Sequence, residues 1–445
     1  MVSPRMPDRP EPERRARRRP AVPGAGPVPA ARVPRPRSDS GPAARRLAGH
    51  RGVQLLGCAV AAGWAGAFPL VSDLPNQVFW GTLAAPAYGL AGLLCAVLPR
   101  RIAPRAAASV ALVGAVLLPL VLLAVHGRHQ SEVMVVERSA HLLLSSGDPY
   151  LAAPVRAADY NPYLPAMVLF GLPRAVLGSA GPVTQLLGDA RIWFALTFLG
   201  CMLGSWWLLR PARDRAPLLP LAVLTASPLI GLALAVGGVD LPLIGVCCLA
   251  MALAARGRAA GAGVVLALAC TLKWTAWPAL PVAALLIWRL YGRLPAARAA
   301  AIAVGAAVAV VLPFALLDGR EMREQVVRFP LGLAAVQTPA GSPLPGKVLA
   351  GLGPTGHTIS LTLLCLGGLA VALWLLAYPP TSAVAACDLL AAGLAIAFVL
   401  APAGRFGYLA LPAVLVIWPR LASRSLTWRQ PEPAVLPPRS GLVQV

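Results

Sequence analysis

Long apolar runs recur along the chain from residue 53 to residue 421, and short polar segments separate them. A run of about 18 residues or more can cross a hydrocarbon core of roughly 30 Å as an α-helix. The runs are continuously apolar, which favours helices over the alternating pattern of a transmembrane β-barrel. The pattern predicts an all-α, polytopic transmembrane bundle of about twelve spans, at 53–71, 78–98, 106–126, 189–209, 217–234, 239–255, 259–272, 275–291, 297–317, 359–378, 383–402 and 405–421.

A further apolar segment, 161–178, is interrupted by Pro162, Pro165, Pro173 and Arg174. A full span there would invert every later loop and would place most of the loop arginines on the outer face. Short loops rich in arginine normally lie on the cytoplasmic side of a membrane protein. We therefore expect an interfacial or re-entrant helix at 161–178, with both chain termini in the cytoplasm.

This topology divides the chain into a membrane domain, 52–421, and two tails. The tail 1–51 is basic and rich in Pro and Ala, so we expect it to be disordered and cytoplasmic rather than a targeting peptide. The Pro-rich tail 422–445 is expected to be disordered and cytoplasmic as well. Two polar loops, 127–188 and 318–357, are predicted on the outer face of the cell membrane.

Composition agrees with a membrane protein and argues against several other classes. The chain is 58% hydrophobic and only 13% charged, whereas soluble domains contain about 25% charged residues. The net charge of +22 comes largely from the first tail and the inner loops, so we expect no nucleic-acid partner. The sequence has neither a Walker A motif nor a His/Cys ligand cluster, and its eight cysteines lie in apolar runs. We therefore expect no metal and no cofactor.

The first outer loop contains a dense polar stretch, 131–165, that begins with a helical pattern. Glu132 shares a helix face with Ser139, so its carboxylate leans toward the core. Desolvation disfavours an ionised carboxylate, which suits a general base that takes a proton from a hydroxyl. An interaction with the helix dipole is an equally good explanation of Glu132. Glu137 aligns with His141, and we expect it to be a solvated charge paired with that histidine.

Two aromatic-proline turns follow in the same loop, Asp148-Pro149-Tyr150 and Tyr160-Asn161-Pro162-Tyr163. Such sequences are turn signals, and tyrosines at a membrane interface are usually anchors. Contact of Tyr150 or Tyr160 with a substrate is the less favoured interpretation.

The chain contains only two lysines, Lys273 and Lys347, in a background of arginine. Lys273 lies between two short spans, where it either holds a lipid phosphate or extends to the interface from a helix end. Lys347 shares the second outer loop with Arg320 and Arg328, which form either a patch for anionic headgroups or a scatter of loop charges. Arg405 opens the last span and either faces a phosphate or extends to the interface.

Asp240 follows two glycines at the outer end of a span. An ionisable side chain in an apolar context points to function, and a helix N-cap is the alternative. Asp388 lies near the inner end of its run, and we expect it to act as a helix cap.

The run from Glu132 to Tyr150, followed by Tyr160-Asn161-Pro162, resembles the first outer loop of the GT-C glycosyltransferases. It is most similar to glycosyltransferase family 87, the polyprenyl-phosphate-mannose-dependent α-mannosyltransferases of actinobacteria. The resemblance covers about 106–420. It extends to these short motifs: Gly237-Gly238-Val239-Asp240, 261–273, Phe329-Pro330-Leu331-Gly332, Ser342-Pro343-Leu344-Pro345-Gly346 and Arg405-Phe406-Gly407-Tyr408.

The resemblance implies a GT-C-like bundle whose outer loop carries interfacial helices. It also implies transfer of a sugar, mannose in that family, from a polyprenyl-phosphate donor to a glycolipid or glycan acceptor of the cell envelope. The family's catalytic base is an Asp at the position of Glu132, and basic residues such as Lys273, Arg405 or those of 320–328 would stabilise the departing phosphate. The Glu at this position and the two spans before residue 106 depart from the family pattern.

Two other hypotheses remain open at this level. A transporter or flippase for lipid-linked glycans would share the twelve spans, but it favours inverted repeats and charges at the membrane midplane, and neither is evident here. A non-catalytic assembly subunit of the envelope is the other. We expect an enzyme to bring Glu132, Asp240, Lys273 and the loop 320–347 together at one outer cavity.

Overall fold

The computed structural model describes residues 50–210 and 218–423, and these residues fold almost entirely into helices. The two predicted tails lie outside the described residues except for a few positions at their inner edges. In chain order the helices are α1 (Arg51–Val71), α2 (Pro75–Val97), α3 (Ala103–Val125), α4 (Ser131–Ser146), α5 (Leu172–Leu177), α6 (Pro182–Gly188), α7 (Ala190–Leu209), α8 (Leu218–Thr225), α9 (Pro228–Val236), α10 (Leu241–Ala255), α11 (Ala259–Leu272), α12 (Ala279–Tyr291), α13 (Arg293–Leu317), α14 (Gly319–Arg323), α15 (Pro345–Ala350), α16 (Pro354–Ala377), α17 (Ala383–Leu400) and α18 (Ala410–Ser423).

Eight helical segments of the described chain are long and apolar enough to cross a membrane. They are α1, α2, α3, α7, α13, α16, α17 and α18 together with the turn of 3₁₀-helix before it. Each corresponds to one of the twelve predicted spans. The chain is therefore an integral membrane protein built as an α-helical bundle, as its apolar pattern predicts.

The other four predicted spans form shorter helices. The predicted span 217–234 consists of α8 and α9, which are bent by 68° relative to each other. The bend falls at Ser227, directly before Pro228, where proline lacks the N–H group that would continue the helix. Helices α10, α11 and α12 contain 15, 14 and 13 residues. Taken together, α8 and α9 are long and apolar enough for a ninth, broken crossing, whereas α10, α11 and α12 are each shorter than the roughly 18 residues of a crossing.

Contacts at the two ends of the bundle nevertheless connect the short helices to the long ones. Asp240, just before α10, contacts Lys273, just after α11, through an ion pair of 2.7 Å. At the opposite end the guanidinium of Arg256, just after α10, donates to the carbonyl of Arg210, just after α7, over 3.3 Å. The Tyr291 hydroxyl, at the end of α12, donates to a carbonyl at the end of α10 over 2.7 Å. Helices α10 to α12 thus run between the same two ends as α7.

Helix α10 lies at the centre of the main apolar core. Every residue from Leu241 to Ala255 is buried except Leu249, and a helix that is apolar on all sides requires such a position. The core also contains side chains of α7, α11, α12, α17 and α18. A second core joins α1, α2 and α3. In α1, α13 and α16 only 11% of the most apolar window is buried, so these three helices lie at the periphery of the bundle.

The two predicted outer loops pack against each other. The first contains α4, two 3₁₀ turns, Ala157–Asp159 and Pro165–Phe170, and then α5 and α6. The second contains α14, a π-helical turn and α15. The amide of Gln325 in the second loop is fully buried, and it accepts from the Asn161 N–H over 3.0 Å and donates to the Leu151 carbonyl over 2.8 Å. One buried side chain of the second loop therefore bonds the backbone of the first loop at two places, Leu151 and Asn161.

Candidate functional site

The carboxylate of Glu132 forms an ion pair with the guanidinium of Arg405, 273 residues later in the chain. Glu132 is the second residue of α4, and Arg405 directly precedes the 3₁₀ turn that leads into α18. The Glu132 side chain is 19% exposed and the Arg405 side chain is 29% exposed. The pair is thus partly buried, and solvent still reaches it.

A second ion pair joins the Lys273 ammonium to the Asp240 carboxylate over 2.7 Å. Asp240 occupies the N-cap position of α10, but its side chain makes no capping hydrogen bond to the first turn and binds Lys273 instead. Only 12% of the Lys273 side chain is exposed, which is too little for a lysine that extends to the interface. Its Nζ lies 4.8 Å from the ring centre of Tyr408 and 5.8 Å from that of Tyr163, within the range of cation–π attraction.

The two ion pairs belong to one site, which we call the four-charge cluster: Glu132, Asp240, Lys273 and Arg405. Tyr408, three residues after Arg405, contacts Lys273 with its ring. On the other side Gly237, three residues before Asp240, lies directly against Glu132. A Cβ added to Gly237 would lie 2.9 Å from Oε2 of Glu132. Arg405 also interacts electrostatically with Asp240, and Lys273 with Glu132.

Backbone hydrogen bonds fix the segments that carry the cluster. The N–H of Gln130, just before α4, donates to the carbonyl of Val236 over 3.0 Å, which ties Glu132 to the Gly237 turn. The Leu164 N–H donates to the Leu272 carbonyl over 3.0 Å, which brings Tyr163 beside Lys273. The cluster is therefore held by the main chain as well as by its own charges.

The second outer loop reaches the cluster beside Arg405, through Ala340 and Ser342. The Gly404 N–H donates to the Ala340 carbonyl over 3.1 Å. The Ser342 N–H donates to the Gly404 carbonyl over 3.0 Å, and its hydroxyl accepts from the Phe406 N–H over 3.2 Å. These two bonds hold the backbone on both sides of Arg405. Ala340 and Ser342, near the C-terminal end of the loop 320–347, thus lie against the backbone beside Arg405, the partner of Glu132.

The basic residues predicted to bind phosphate in that loop lie on α14, the π-helical turn and α15. Arg328 pairs with Glu324 over 2.9 Å and donates to the Leu333 carbonyl. Arg320 is exposed on α14, and Lys347 is half-buried on α15. Within residues 50–210 and 218–423, no hydrogen bond or ion pair connects any of the three with the four charges. Their predicted role at a phosphate has no support from contacts.

Tyr150 and Tyr160 are buried within the packing of the two outer loops. The Tyr150 hydroxyl donates to the Tyr163 carbonyl over 3.0 Å, and burial raises the pKa of this phenol above its ordinary value. The Tyr160 ring stacks on Phe329 with 4.4 Å between ring centres. Both side chains are only 4% exposed, so neither presents a face to a substrate.

The expectation of a solvated Glu137 paired with His141 is wrong. The Glu137 carboxylate binds Nε of Arg174 over 3.2 Å and accepts from the Ala190 N–H, at the start of α7, over 3.0 Å. Burial raises the pKa of Glu137, and the Ala190 N–H and the Arg174 charge partly offset that effect. Glu137 therefore joins α4, α5 and α7 instead of facing water. This contact needs three separate chain segments, so helix periodicity alone could not predict it.

The predicted cap at Asp388 is also wrong. Asp388 lies inside α17, whose N-cap is Ser382, and it receives two hydrogen bonds from Arg420 of α18, of 2.5 and 2.7 Å. This pair joins α17 to α18 far from Arg405, which precedes the opposite end of α18.

A buried ion pair that the sequence reasoning missed supports the Gly237 turn. Asp189 and Arg191 are fully buried and lie 2.6 Å apart at the start of α7. The Arg191 guanidinium also donates to the Ala235 carbonyl over 2.6 Å. Two opposite charges two residues apart at the edge of an apolar run are the sequence signal that could have identified this pair.

Fold and site together define an integral membrane protein of the helical-bundle class with a charge-paired site at one end of its bundle. No family model matches the chain, and neither a curated protein nor a solved structure is significantly similar to it. The resemblance to glycosyltransferase family 87 therefore rests on the sequence motifs alone.

Proposed function

We propose that this protein is a membrane glycosyltransferase. It moves a sugar, mannose by the family resemblance, from a polyprenyl-phosphate donor to a glycolipid or polysaccharide acceptor of the cell envelope. The observation that carries the proposal is the four-charge cluster, because it joins carboxylates with cations from four separate parts of the chain. The four charged residues also belong to motifs that resemble glycosyltransferase family 87, and the fold brings these motifs together.

The cluster contains the groups that such a transfer needs. The acceptor hydroxyl attacks the anomeric carbon of the donor sugar, a new C–O bond forms, and the bond from that carbon to the phosphate oxygen breaks. Glu132 takes the hydroxyl proton as the general base. Arg405 and Lys273 stabilise the negative charge of the departing lipid phosphate. Asp240 holds Lys273 in place through their ion pair.

The membrane arrangement that we propose has twelve crossings, with the cluster at the outer end and both termini in the cytoplasm. The end-to-end contacts of α10, α11 and α12 support the crossings that helix length alone does not. The arginines at the opposite end support the orientation, because cytoplasmic loops carry an excess of positive charge. The donor phosphate then lies at the outer interface and its polyprenyl tail lies among the helices.

The test is sugar transfer in membranes from cells that express the wild type, Glu132→Gln or Glu324→Gln. Labelled polyprenyl-phosphate-mannose is supplied, and the label is followed into lipid and polymer fractions. Glu324 is a matched control, because it also pairs with an arginine but lies outside the cluster. We expect transfer by the wild type and the control, and a loss of about 100-fold or more in Glu132→Gln.

Two outcomes would contradict the proposal in different ways. Undiminished transfer by Glu132→Gln would remove Glu132 from the role of base and would leave Asp240 as the carboxylate of the cluster. No transfer by a normally expressed wild type would argue against this enzyme class, and transport of lipid-linked glycans would be measured next.

A further inference from the structure

Each charge of the four-charge cluster is satisfied by an opposite charge of the same cluster. A carboxylate oxygen that already accepts a hydrogen bond from a guanidinium is occupied and is less available to a substrate hydroxyl. A guanidinium bound to a carboxylate cannot at the same time present its full fork of donors to a phosphate. The Glu132–Arg405 pair thus restrains both the proposed base and a proposed phosphate ligand.

The two ion pairs of the cluster differ in how readily they can separate. Lys273 is 12% exposed and lies between two tyrosine rings, whereas Arg405 is 29% exposed. The backbone on both sides of Arg405 is held by Ser342, so only its side chain has to move in an exchange of partners. Among the two cations, Arg405 is therefore the one that an incoming anion can reach and redirect.

We propose that the phosphate of the lipid donor displaces Glu132 from Arg405, and that this exchange frees Glu132 to act as the base. Arginine binds phosphate through two parallel hydrogen bonds, which match its planar fork at least as well as a carboxylate does. Glu132 then accepts the acceptor's proton only when the donor is in place. The inference rests on the proposed function for the role of Glu132, while the competition itself is a property of binding.

Competition for Arg405 and an orienting role of Glu132 predict opposite changes in phosphate affinity when the Glu132 charge is removed. If Glu132 and a lipid phosphate compete for Arg405, removing the Glu132 charge strengthens phosphate binding. If Glu132 instead orients Arg405 for the phosphate, the same substitution weakens binding. Removal of Arg405 weakens binding in both cases, so the Glu132 variant decides between them.

The experiment measures binding of farnesyl phosphate to the purified full chain in phosphatidylcholine nanodiscs, with farnesol as the uncharged control. We expect Glu132→Gln to lower the Kd at least about threefold and Arg405→Gln to raise it at least about tenfold. Asp388→Asn is the matched control, because it removes a carboxylate charge from another arginine far from the site. Its Kd should stay within about twofold of the wild-type value.

A second measurement follows Glu132 in the wild type, where no variant can misfold. Carbodiimide labelling of the Glu132 carboxylate, quantified by mass spectrometry, should rise when farnesyl phosphate is added. No saturable binding, a Kd for Glu132→Gln equal to or above that of the wild type, or labelling that does not rise would each overturn the inference. An equal gain in affinity for Asp388→Asn would also overturn it, by showing a general charge effect.

The binding and transfer experiments test the exchange of partners at Arg405 separately from the proposed glycosyltransferase activity. Tighter phosphate binding by Glu132→Gln in a protein that transfers no sugar would uphold the exchange and refute the transferase. Sugar transfer that needs Glu132, together with weaker phosphate binding by Glu132→Gln, would uphold the transferase and refute the exchange.

Discussion

At the scale of single residues, two glycines determine how closely the backbone approaches Glu132. Gly237 leaves no room for a Cβ beside the Glu132 carboxylate, and Gly238 has a φ of +75°, in the left-handed region that favours glycine. The Gly237-Gly238 pair therefore allows the backbone to lie directly against the Glu132 carboxylate. An argument from turn propensity alone would explain Gly238 but not Gly237.

We expect Gly237→Ala to displace the Glu132 carboxylate and to lower sugar transfer at least about tenfold, since small misplacements at a reacting group are costly. The measurement is transfer per unit of folded protein in membranes. Gly200→Ala in α7 is the control, because a Cβ at Gly200 would meet nothing within 4 Å. Equal activity of the two variants would contradict the placement of Glu132 at the reacting hydroxyl.

Asp159 gives the first loop a pH dependence with a defined sign. The N–H of Arg156 donates to its carboxylate and the Arg156 side chain binds it, and both hold the pKa of Asp159 below its ordinary value of 3.8. This stabilisation is complete above the unfolded-state pKa and is lost as the pH falls through the folded-state pKa. In thermal unfolding we expect Asp159→Asn to be less stable than the wild type at pH 6, and the difference to shrink below about pH 4. A difference that stays constant from pH 6 to pH 3 would contradict this assignment.

The sequence identified the four charges but not their pairing. Asp240 and Lys273 stand out as ionisable residues in apolar surroundings, and Glu132 and Arg405 stand out through their motifs. Pairing across 273 residues depends on how α4 and α18 are placed by the core, which a local pattern does not contain. The same limit explains why Glu137 was assigned to solvent.

At the scale of helices, Arg174 of α5 connects α4 with α6. It pairs with Glu137 and donates to the carbonyls of Gly178 and Gln185, each over 3.0 Å. A Cβ added to Gly171, just before α5, would meet the backbone of α4. Close packing and charge pairing therefore act together to fix α4, which carries Glu132.

We expect Arg174→Gln to lower the free energy of unfolding by about 3 kcal/mol, because it leaves the buried Glu137 carboxylate without its partner. Arg156→Gln is the matched control, since it removes an arginine from an ion pair whose arginine is 82% exposed. We expect its effect to stay below about 1 kcal/mol. Thermal unfolding in one detergent compares the two, and equal shifts in Tm would refute the joining role of Arg174.

The apolar pattern predicts where the helices lie along the chain, but it does not predict the angles between them. The pattern gave the positions of α10, α11 and α12 within a few residues, because their runs are bounded by Gly, Arg and Lys. The 68° angle between α8 and α9 was not predictable. Proline at Pro228 predicts a break, whereas the angle depends on the helices packed around it.

At the scale of the whole molecule, the number of crossings decides where the C-terminus lies. Twelve crossings place both termini in the cytoplasm, whereas an odd number places them on opposite sides. We expect a C-terminal green fluorescent protein fusion to fluoresce and a C-terminal alkaline phosphatase fusion to be inactive. An active phosphatase fusion would contradict twelve crossings from a cytoplasmic N-terminus, and the short helices α10 to α12 would be the first to re-examine.

Hydrophobicity predicted the class of the molecule because a membrane demands long apolar helices with every backbone group bonded. Charge asymmetry of the loops then predicted the orientation. Neither hydrophobicity nor loop charge predicts that Gln325 joins the two outer loops, or that Ser342 binds the backbone beside Arg405. Those contacts decide which basic residues pair with the carboxylates, and among the described residues Arg320, Arg328 and Lys347 form no ion pair with the four-charge cluster.

The most direct test of the account is sugar transfer by the purified chain from labelled polyprenyl-phosphate-mannose, with Glu132→Asp and Glu132→Gln beside the wild type. The account predicts transfer by the wild type and reduced but measurable transfer by Glu132→Asp, whose carboxylate is one methylene shorter. It predicts a loss of about 100-fold or more in Glu132→Gln. Transfer by Glu132→Gln at the wild-type rate, or none by a folded wild type, would contradict it.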